Sequence, residues 1–510
     1  MSSNEARDAG RGVFFIAGAK AYFMIAGAAI TFVLPSIFDE AVFGAYLVIA
    51  GAASLVNNVM VTGTIQAVSR FTAQARDRTR AIQAAGYRMH LVMGLPIAVL
   101  FAVLSPWVAA FFQDSSKIES LRLAALIVGG YAFYAVFVGT ANGMRAFHKQ
   151  AGLDVIMATL RAAGIIGLAV LGFGVYGAIG GWVAATGAIL VISTFVVGVP
   201  QRGATERYPI KPMLSFFASV AFYLLLLNLI MLQDTFLLKR LTGTMFLDAG
   251  LDANTAAILS DAQVGYYGGA QAIARLSYQA IIAATFVIFP LISRSTFQRE
   301  SETTKLYIST TMRYSLMLAM AFAVVFVANP YEILDLPFKA EYPLNAAKAL
   351  VALALGYVAF SLFAIVGTIL NGAGRTTDAI ISAAVTVVAA VVGNWLLIPR
   401  FDPGPDVLFA CAAVTGGAML LGAVVGGALM YRALGAFIPV LTVVRVILAA
   451  GVAIAVARVI PFHTPLMTLI EAGAVGVIYL IVLIASREIT RADVRAVLNL
   501  RQRGGGGETP

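Results

Sequence analysis

Four basic residues lie deep inside long apolar stretches of the sequence, namely Lys20, Arg161, Arg275 and Arg313. Each stands about seven to eleven residues from the nearer end of its stretch, which is roughly 10 to 16 Å along a helix. An ionisable group in hydrocarbon costs about 2.5 to 3.5 kcal/mol on insertion scales, so each cation needs a partner or an aqueous cavity. Cations in such a cavity bind phosphate oxygens, and arginine offers them two parallel N–H donors. The pattern therefore predicts a site for an anionic group.

Lys20 and Arg275 are the strongest candidates for contact with such a group. Lys20 has no acidic neighbour within its own apolar stretch, and Arg275 lies near the middle of its stretch. The alternative for Arg275 is a structural ion pair with Asp234. Asp234, about a turn before the end of another stretch, is either a proton or cation coupling group or a carboxylate at the membrane rim.

Arg161 and Arg313 have stronger structural alternatives. Arg161 follows Asp154 on nearly the same helical face, but about two turns separate them. Arg313 can extend its aliphatic stem toward the membrane surface and keep its charged end in water. We therefore expect Arg161 to be mainly structural and Arg313 to be a weaker candidate for the anion site.

Uncharged polar residues in the same stretches can hydrogen-bond a polar ligand, although such residues more often join helices to one another. They are Asn57, Asn58, Gln271 and Gln279. Two further charges, Arg445 and Glu471, lie at similar depth in the last two apolar stretches. We expect them to form an ion pair that fastens these two helices together.

The elements that carry these residues are membrane-spanning helices. The chain is 60% hydrophobic and 12% charged, whereas a soluble domain has about 45 to 50% apolar residues and about a quarter charged. Apolar runs long enough to cross about 30 Å of hydrocarbon recur from end to end. Cys411 is the only cysteine, and the three histidines are scattered, so the sequence predicts no disulfide, no metal site, no catalytic residues and no cofactor.

We predict an all-α polytopic membrane protein of about 14 transmembrane helices. A joint of only a few residues separates the fifth span from the sixth, yet one run of their combined length is too long for a single crossing. The predicted spans are 13–36, 41–64, 89–112, 119–142, 151–173, 176–199, 213–237, 264–291, 306–328, 344–371, 377–398, 406–431, 436–459 and 464–486.

The distribution of Lys and Arg orients these spans. Loops on one side hold most of the 35 basic residues, among them segment 70–88 and the tail after the last span. Because cytoplasmic loops carry an excess of Lys and Arg, both termini are predicted to be cytoplasmic. Topology and attraction to anionic membrane lipids then explain the net charge of +10, so no nucleic-acid partner is expected. Segment 70–88 is also amphipathic and is predicted to lie at the membrane interface.

Short motifs recur in the same order and at nearly the same spacing in the two halves of the chain. Ser69–Gln74 and Ser293–Gln298 both read SRxTxQ. A unit of six spans preserves orientation, so we predict two parallel repeats related by an axis along the membrane normal, with two helices added at the end. The alternative is that the motifs are helix-end signals common to inner loops. The other repeated pairs are Asn142 with Asn371 and Thr186 with Thr415.

This organisation divides the chain into lobes, between which transporters built from parallel repeats place their substrate. The predicted segments are a cytoplasmic N-terminus (1–12), an N-lobe of six helices (13–199), a cytoplasmic linker (200–212), a C-lobe of six helices (213–431), helices 13 and 14 (436–486) and a basic cytoplasmic tail (487–510).

Three stretches of the second half resemble a known family of transporters. They are Val264–Arg294, Asn371–Thr377 and Gly393–Pro399. They resemble the oligosaccharidyl-lipid flippases of the multidrug/oligosaccharidyl-lipid/polysaccharide superfamily, and the likeness in span number, loop length and duplication covers nearly the whole chain. Within that superfamily, fourteen spans are typical of O-antigen-type translocases and the lipid II flippase, whereas multidrug exporters usually have twelve.

The resemblance implies a flippase, not an enzyme, that moves a polyprenyl-diphosphate-linked oligosaccharide across the bacterial inner membrane by alternating access. Lys20 and Arg275, one from each half, would then hold the diphosphate. The implied partners are this lipid-linked oligosaccharide, membrane lipids and a polysaccharide polymerase or export machinery, and the protein is expected to be a monomer. One alternative is a cation-coupled multidrug exporter of the same superfamily, which would need an acidic cavity in the first half. Another is a membrane glycosyltransferase or polymerase, which would need a larger outer loop or a carboxylate-rich site.

Overall fold

The computed structural model describes residues 3–200, 207–281, 301–338, 341–459 and 465–490, and within these ranges the chain is helical with no β-strand. Thirteen helices in this part of the chain are long and apolar enough to cross a membrane. The eighth predicted span, 264–291, lies partly outside the described residues. The expectation of an all-α membrane protein of about 14 helices is therefore confirmed.

The helices are numbered here in chain order. They are α1 (Ser3–Ile37), α2 (Glu40–Gln74), α3 (Thr79–Met89), α4 (Leu95–Phe111), α5 (Ile118–Gly143), α6 (Phe147–Val170), α7 (Gly174–Val196), α8 (Lys211–Asp248), α9 (Ala253–Ala274), α10 (Ser301–Ala328), α11 (Pro330–Asp335), α12 (Glu341–Gly372), α13 (Thr376–Leu397), α14 (Pro405–Leu434), α15 (Val440–Ala457) and α16 (Pro465–Ala485).

The joint between the fifth and sixth predicted spans is a tight turn made by two glycines. Helix α6 ends at Val170 and α7 begins at Gly174. Gly172 and Gly174 have φ angles of +84° and +57°, a region that residues with a Cβ enter at a cost. The sequence therefore breaks the long apolar run where the two crossings require it.

The inner segment 70–88 forms a short helix whose apolar face is buried. Ile82 and Ala85 of α3 are fully buried, and Arg80 and Gln83 bind the carbonyl oxygen of Gly198 at 3.2 and 2.8 Å. Arg88 donates to the carbonyl oxygen of Tyr208 at 2.7 Å. In the structure, these side chains fasten both ends of the linker between the two predicted lobes.

The described helices pack into two compact units, each with its own core. Unit 1 comprises Met1–Ala272, Pro337–Ala349 and Ala383–Ala418, and unit 2 comprises Ile273–Leu336, Leu350–Ser382 and Met419–Pro510.

In unit 1, helices α2 and α5 pack closely because glycines of α5 face α2. A Cβ on Gly143 would lie only 2.5 Å from the Cβ of Thr72. At the same end, Ser69 donates to Asn142 at 2.6 Å, and Asn142 donates to Gln150 at 2.7 Å. Two residues from the repeated motifs of the first half therefore join neighbouring helices.

In unit 2, helix α10 packs against α15 and α16. The hydroxyl of Tyr479 on α16 donates to the carbonyl oxygen of Met317 on α10 at 3.1 Å. Apolar surface remains exposed on the other faces of α15 and α16, as at Ile447, Leu448 and Ile470. Such faces suit contact with lipid.

Candidate functional site

A charged pair links α1 to α6 in unit 1. The Nζ of Lys20 lies 3.1 Å from Asp154 Oδ2, and the Lys20 side chain is 38% exposed whereas Asp154 is buried. The two side chains form an ion pair but not a hydrogen bond, and Asp154 Oδ2 has no hydrogen-bond partner. Two residues further along α1 and five further along α6, Tyr22 and Thr159 share a hydrogen bond of 2.8 Å. The cation predicted for anion binding is thus held by a carboxylate from another helix, and its side chain stays partly exposed.

Arg161 lies about two turns along α6 from Asp154. Its guanidinium stacks 4.5 Å from the ring centroid of Trp182, and Trp182 donates to the hydroxyl of Tyr131 at 3.2 Å. The Nε of Arg161 is buried without a hydrogen-bond partner. Arg161 therefore has an aromatic support for its charge and one buried N–H that lacks a hydrogen-bond partner.

Asp234 lies at the centre of a buried polar network in unit 1. Its carboxylate accepts hydrogen bonds from the Tyr267 hydroxyl at 2.8 Å and the Gln271 amide at 2.9 Å. Next to it, the Asn394 amide donates to both Gln233 and Thr415 at 3.1 Å, while the Asn394 carbonyl oxygen has no hydrogen-bond partner. The network gathers oxygen atoms from four helices, α8, α9, α13 and α14.

The position of Asp234 corrects the predicted end of the seventh span. Helix α8 continues to Asp248, so Asp234 lies well inside the helix and is fully buried. Lys239 and Arg240 lie just beyond the predicted end of the span at residue 237, where charged side chains normally face water. Lys239 is instead buried in a cluster of opposite charges, so it does not end the helix.

The members of that cluster all lie between predicted spans, so the sequence did not indicate the cluster. It contains Asp114, Lys117, Lys239 and Asp261, each at most 7% exposed. Burial alone would raise the pKa of Asp114, but the charge of Lys117, hydrogen bonds from Lys117 and Ser116, and the charge of Lys239 lower it to about 2. Charges at the ends of spans usually face water, so composition gave no signal that these four meet.

The polar residues predicted on α2 have different surroundings. Asn58 donates to Asn228 of α8 at 2.9 Å and so joins two helices. Asn57 is buried, and its carbonyl oxygen has no hydrogen-bond partner.

In unit 2, Arg275 stands at a break in the helical path. Helix α9 ends at Ala274, Arg275 is in a turn, and residues 276–281 are helical again. The Nε of Arg275 donates to the hydroxyl of Tyr357 at 2.8 Å, and Gln279 is half-buried one turn later. The rings of Tyr357 and Tyr278 both contact Phe360. Arg275 is thus positioned by an aromatic group of α12.

The remaining predicted charges of unit 2 converge on Glu488, which follows α16. Arg313 contacts its carboxylate at 2.8 Å and Arg445 at 3.1 Å, and Thr442 donates to it at 2.7 Å. The predicted pair between Arg445 and Glu471 is therefore wrong. Arg487, with a φ of +58°, turns the chain back beyond α16, and this turn carries Glu488 to the two arginines. Glu471 is buried, and its Oε1 has no hydrogen-bond partner.

Among the described residues, no three His, Cys, Asp or Glu side chains are grouped so as to hold a metal ion.

The comparisons with known proteins agree with this architecture. Residues 33–344 match the family model described as polysaccharide biosynthesis protein. Among curated proteins, no sequence matches the chain.

Among solved structures, the lipid II flippase MurJ in an inward closed conformation is similar with a TM-score of 0.69 and 14% identity, covering 92% of this chain and 99% of that chain. A multidrug resistance MATE family transporter in an inward-facing conformation has a TM-score of 0.60 and 17% identity, over 83% of this chain and 98% of that one. A MOP superfamily transporter from Pyrococcus furiosus with a binding pocket of reverse polarity has a TM-score of 0.58 and 16% identity, over 83% of this chain and 96% of that one. This chain belongs to the polysaccharide biosynthesis protein family, and it shares the fold of the flippase and transporters named above.

Proposed function

We propose that the protein is a flippase that moves a polyprenyl-diphosphate-linked oligosaccharide, a precursor of cell-surface polysaccharide, across the bacterial inner membrane by alternating access. The observation that carries this proposal is the pair of cations inside the helices of unit 1. The Lys20 side chain is 38% exposed, and Arg161 keeps a buried N–H without a partner. Both groups bind phosphate oxygens, Lys as a compact charge and Arg through its planar fork.

The charge balance of this group of residues favours an anionic cargo. Lys20 and Arg161 carry two positive charges, and Asp154 carries one negative charge, so the set is net positive. Asp154 holds Lys20 while no anion is bound, and an arriving diphosphate would take its place beside Lys20. A cationic drug would instead require an excess of carboxylate, so the multidrug exporter is the weaker candidate.

Arg275 is proposed as a second cargo contact within unit 2. Its hydrogen bond to Tyr357 uses the Nε atom and orients the guanidinium beside aromatic side chains. Arg313 is left out of the proposed site, because the carboxylate of Glu488 already binds it.

Asp234 is the proposed coupling group for a proton or a cation. It is fully buried and receives hydrogen bonds from Tyr267 and Gln271. A buried ionisable group inside a transporter is a functional candidate, because its burial is costly without a role or a compensating partner.

The proposed function is tested with purified protein reconstituted into vesicles that contain a fluorescent polyprenyl-diphosphate oligosaccharide. Glycan that reaches the outer leaflet is cleaved by an enzyme added outside. We expect faster cleavage in vesicles with the protein than in vesicles without it. Equal cleavage rates with and without the protein, together with uptake of a cationic dye in the same vesicles, would contradict the flippase proposal and favour the multidrug exporter.

A further inference from the structure

The buried cluster of Asp114, Lys117, Lys239 and Asp261 plays no part in the proposed cargo site. The Nζ of Lys117 lies 2.6 Å from Asp261, and the Nζ of Lys239 lies 2.8 Å from Asp261 and 3.4 Å from Asp114. Lys117 also binds Asp114, three residues before it. Lys239 donates to the carbonyl oxygen of Ala257 at 2.8 Å. Two cations and two anions are thus interleaved, and the cluster has no net charge.

The cluster joins helices of the two predicted halves at the end that the charge distribution assigns to the outside. Asp114 and Lys117 stand at the corner between α4 and α5 of the first half. Lys239 on α8 and Asp261 on α9 belong to the second half. All four residues lie within unit 1, so the contact belongs to a single packed body.

Beside the cluster, α2 of the first half and α9 of the second half meet backbone to backbone. A Cβ on Gly44 would lie 1.8 Å from the carbonyl oxygen of Asp261, and a Cβ on Gly265 would lie 2.0 Å from that of Glu40. Only glycine at these two positions permits such an approach. One turn further into the membrane, the side chain of Leu47 fills the space beside Gly268.

A layer of aromatic rings lies next to the glycine crossing. The ring of Tyr342 stacks on the ring of Phe338, with their centroids 4.9 Å apart, and it meets the ring of Tyr266 edge-on at a centroid distance of 5.3 Å. Phe338 also contacts Phe32 of α1 at 5.9 Å. The two halves are therefore joined at this end by charges, by close backbone packing and by aromatic contacts.

We propose that these contacts form the outer seal of the transporter, and that the four-charge cluster is the lock that opens when cargo leaves to the outside. The proposal rests on the transporter class and on alternating access, but not on the identity of the cargo. In the sealed state each charge is compensated by its neighbours. In the open state water compensates each charge separately, so neither state leaves a charge without compensation.

This arrangement makes the closed state sensitive to the net charge of the cluster. Removing one member leaves an uncompensated buried charge, which is strongly unfavourable in the sealed state and harmless in the open, hydrated state. Removing one cation together with one anion leaves a neutral pair, so the seal should recover. Closure should therefore follow the net charge that remains and not the number of residues replaced.

The test is thiol labelling of a cysteine below the seal, in cells, with a maleimide that cannot cross the membrane. The background carries Cys411→Ala, and Leu47→Cys is the reporter. The single variant Lys117→Met leaves the cluster with one excess negative charge. Adding Lys239→Met to it leaves two excess negative charges. Combining Lys117→Met with Asp114→Asn leaves a neutral cluster. The exposed pair of Glu119 and Arg122, at 2.8 Å, supplies the control Glu119→Gln with Arg122→Gln, and Asp248→Cys reports full labelling.

We expect Lys117→Met to label at least about ten-fold faster than the unmodified background, because an unpaired buried charge shifts the balance toward the open state. The variant with two lysines replaced should label fastest, and the neutral double variant and the surface control should return to the slow rate. Gly265→Ala should also speed labelling, because its Cβ cannot coexist with the closed crossing. Equal labelling of the background and Lys117→Met, or equal acceleration in Lys117→Met and the neutral double variant, would overturn the lock. Labelling reports closure whatever the cargo is. The result would therefore stand even if the protein did not transport a lipid-linked oligosaccharide.

Discussion

The Nη1 of Arg445 lies 3.1 Å from the Oε2 of Glu488, a residue just beyond the last membrane helix. The same carboxylate binds Arg313 and Thr442. One acidic side chain therefore holds α10, α15 and the end of α16 together.

Replacing Glu488 by Ala should lower the stability of the protein by about 2 to 4 kcal/mol, because two partly buried arginines lose their counter-charge. The lower part of the range for broken buried pairs applies, since the side chains of Arg313 and Arg445 are 23% and 29% exposed. The measurement is thermal unfolding of the purified protein in detergent. Glu471→Gln is the matched control, because Glu471 lies on α16 and does not meet Arg445. A larger loss in the control than in Glu488→Ala would restore the pair first expected from the sequence.

Stability should also depend on pH through Glu488. Burial alone would raise the pKa of this carboxyl group, but hydrogen bonds from Thr442, Arg445 and Arg313 hold the pKa below its ordinary value of 4.5. A group whose pKa is lowered by folding stabilises the folded state above the unfolded pKa, and the contribution is lost as pH falls through the folded pKa. We expect the contribution of Glu488 to the Tm to be constant above pH 5 and to be lost as pH falls below about 4.5. The Tm of Glu488→Gln should therefore fall less in acid than the Tm of the unmodified protein. The same dependence of Tm on pH in the two proteins would show that Glu488 does not cause the loss of stability in acid.

Loss of the Lys20 charge should impair transport far more than folding. Lys20→Ala should lower outer-leaflet glycolipid at least about ten-fold at matched membrane abundance, because the proposed diphosphate loses a direct counter-charge. Lys20→Arg should restore part of the activity, since it keeps the charge. Normal flipping in the alanine variant would remove Lys20 from the cargo site, and loss of the protein from the membrane would make the Lys20–Asp154 pair structural.

Variants of Arg275 and Tyr357 should distinguish the effect of the Arg275 charge from the effect of its positioning by Tyr357. Arg275→Ala should abolish most transport. Tyr357→Phe removes only the hydroxyl that accepts from Nε and should reduce transport about two- to ten-fold, in line with the net contribution of a single hydrogen bond, about 0.5 to 1.5 kcal/mol. The measurement is again the rate of appearance of glycan in the outer leaflet of reconstituted vesicles. A Tyr357→Phe variant as inactive as Arg275→Ala would assign the role to the hydroxyl and not to the cation.

Topology is tested by reporter fusions at exposed positions. Asp248 at the end of α8 and Glu341 at the start of α12 are both exposed, and the charge distribution predicts that both face the outside. Fusions at these positions should be active only outside the cytoplasm, and a fusion at Asp77, in the basic segment, only inside. A cytoplasmic signal at Asp248 or Glu341 would contradict the predicted orientation.

The sequence by itself determined the class of fold. Apolar runs of membrane-spanning length predicted the helices, because hydrocarbon thickness acts locally along the chain. The break between the fifth and sixth spans was expected between residues 173 and 176, and in the structure it lies a few residues earlier, between Val170 and Gly174. Resemblance carried by short motifs identified the superfamily. The parallel duplication stays a prediction, since one copy of its first motif, Ser293–Gln298, lies outside the described residues.

The tertiary structure decided which charges meet. Hydropathy gives the depth of a charged residue in the membrane, but it does not tell which helix lies beside it. Lys20 therefore met Asp154 of a distant helix, and Arg445 met Glu488 beyond the last span in place of Glu471. Lys117 and Lys239 read as surface residues because isolated charges near helix ends are normally hydrated. Only the packing of α8 and α9 against the corner between α4 and α5 removes water from them and makes Asp114 and Asp261 their partners.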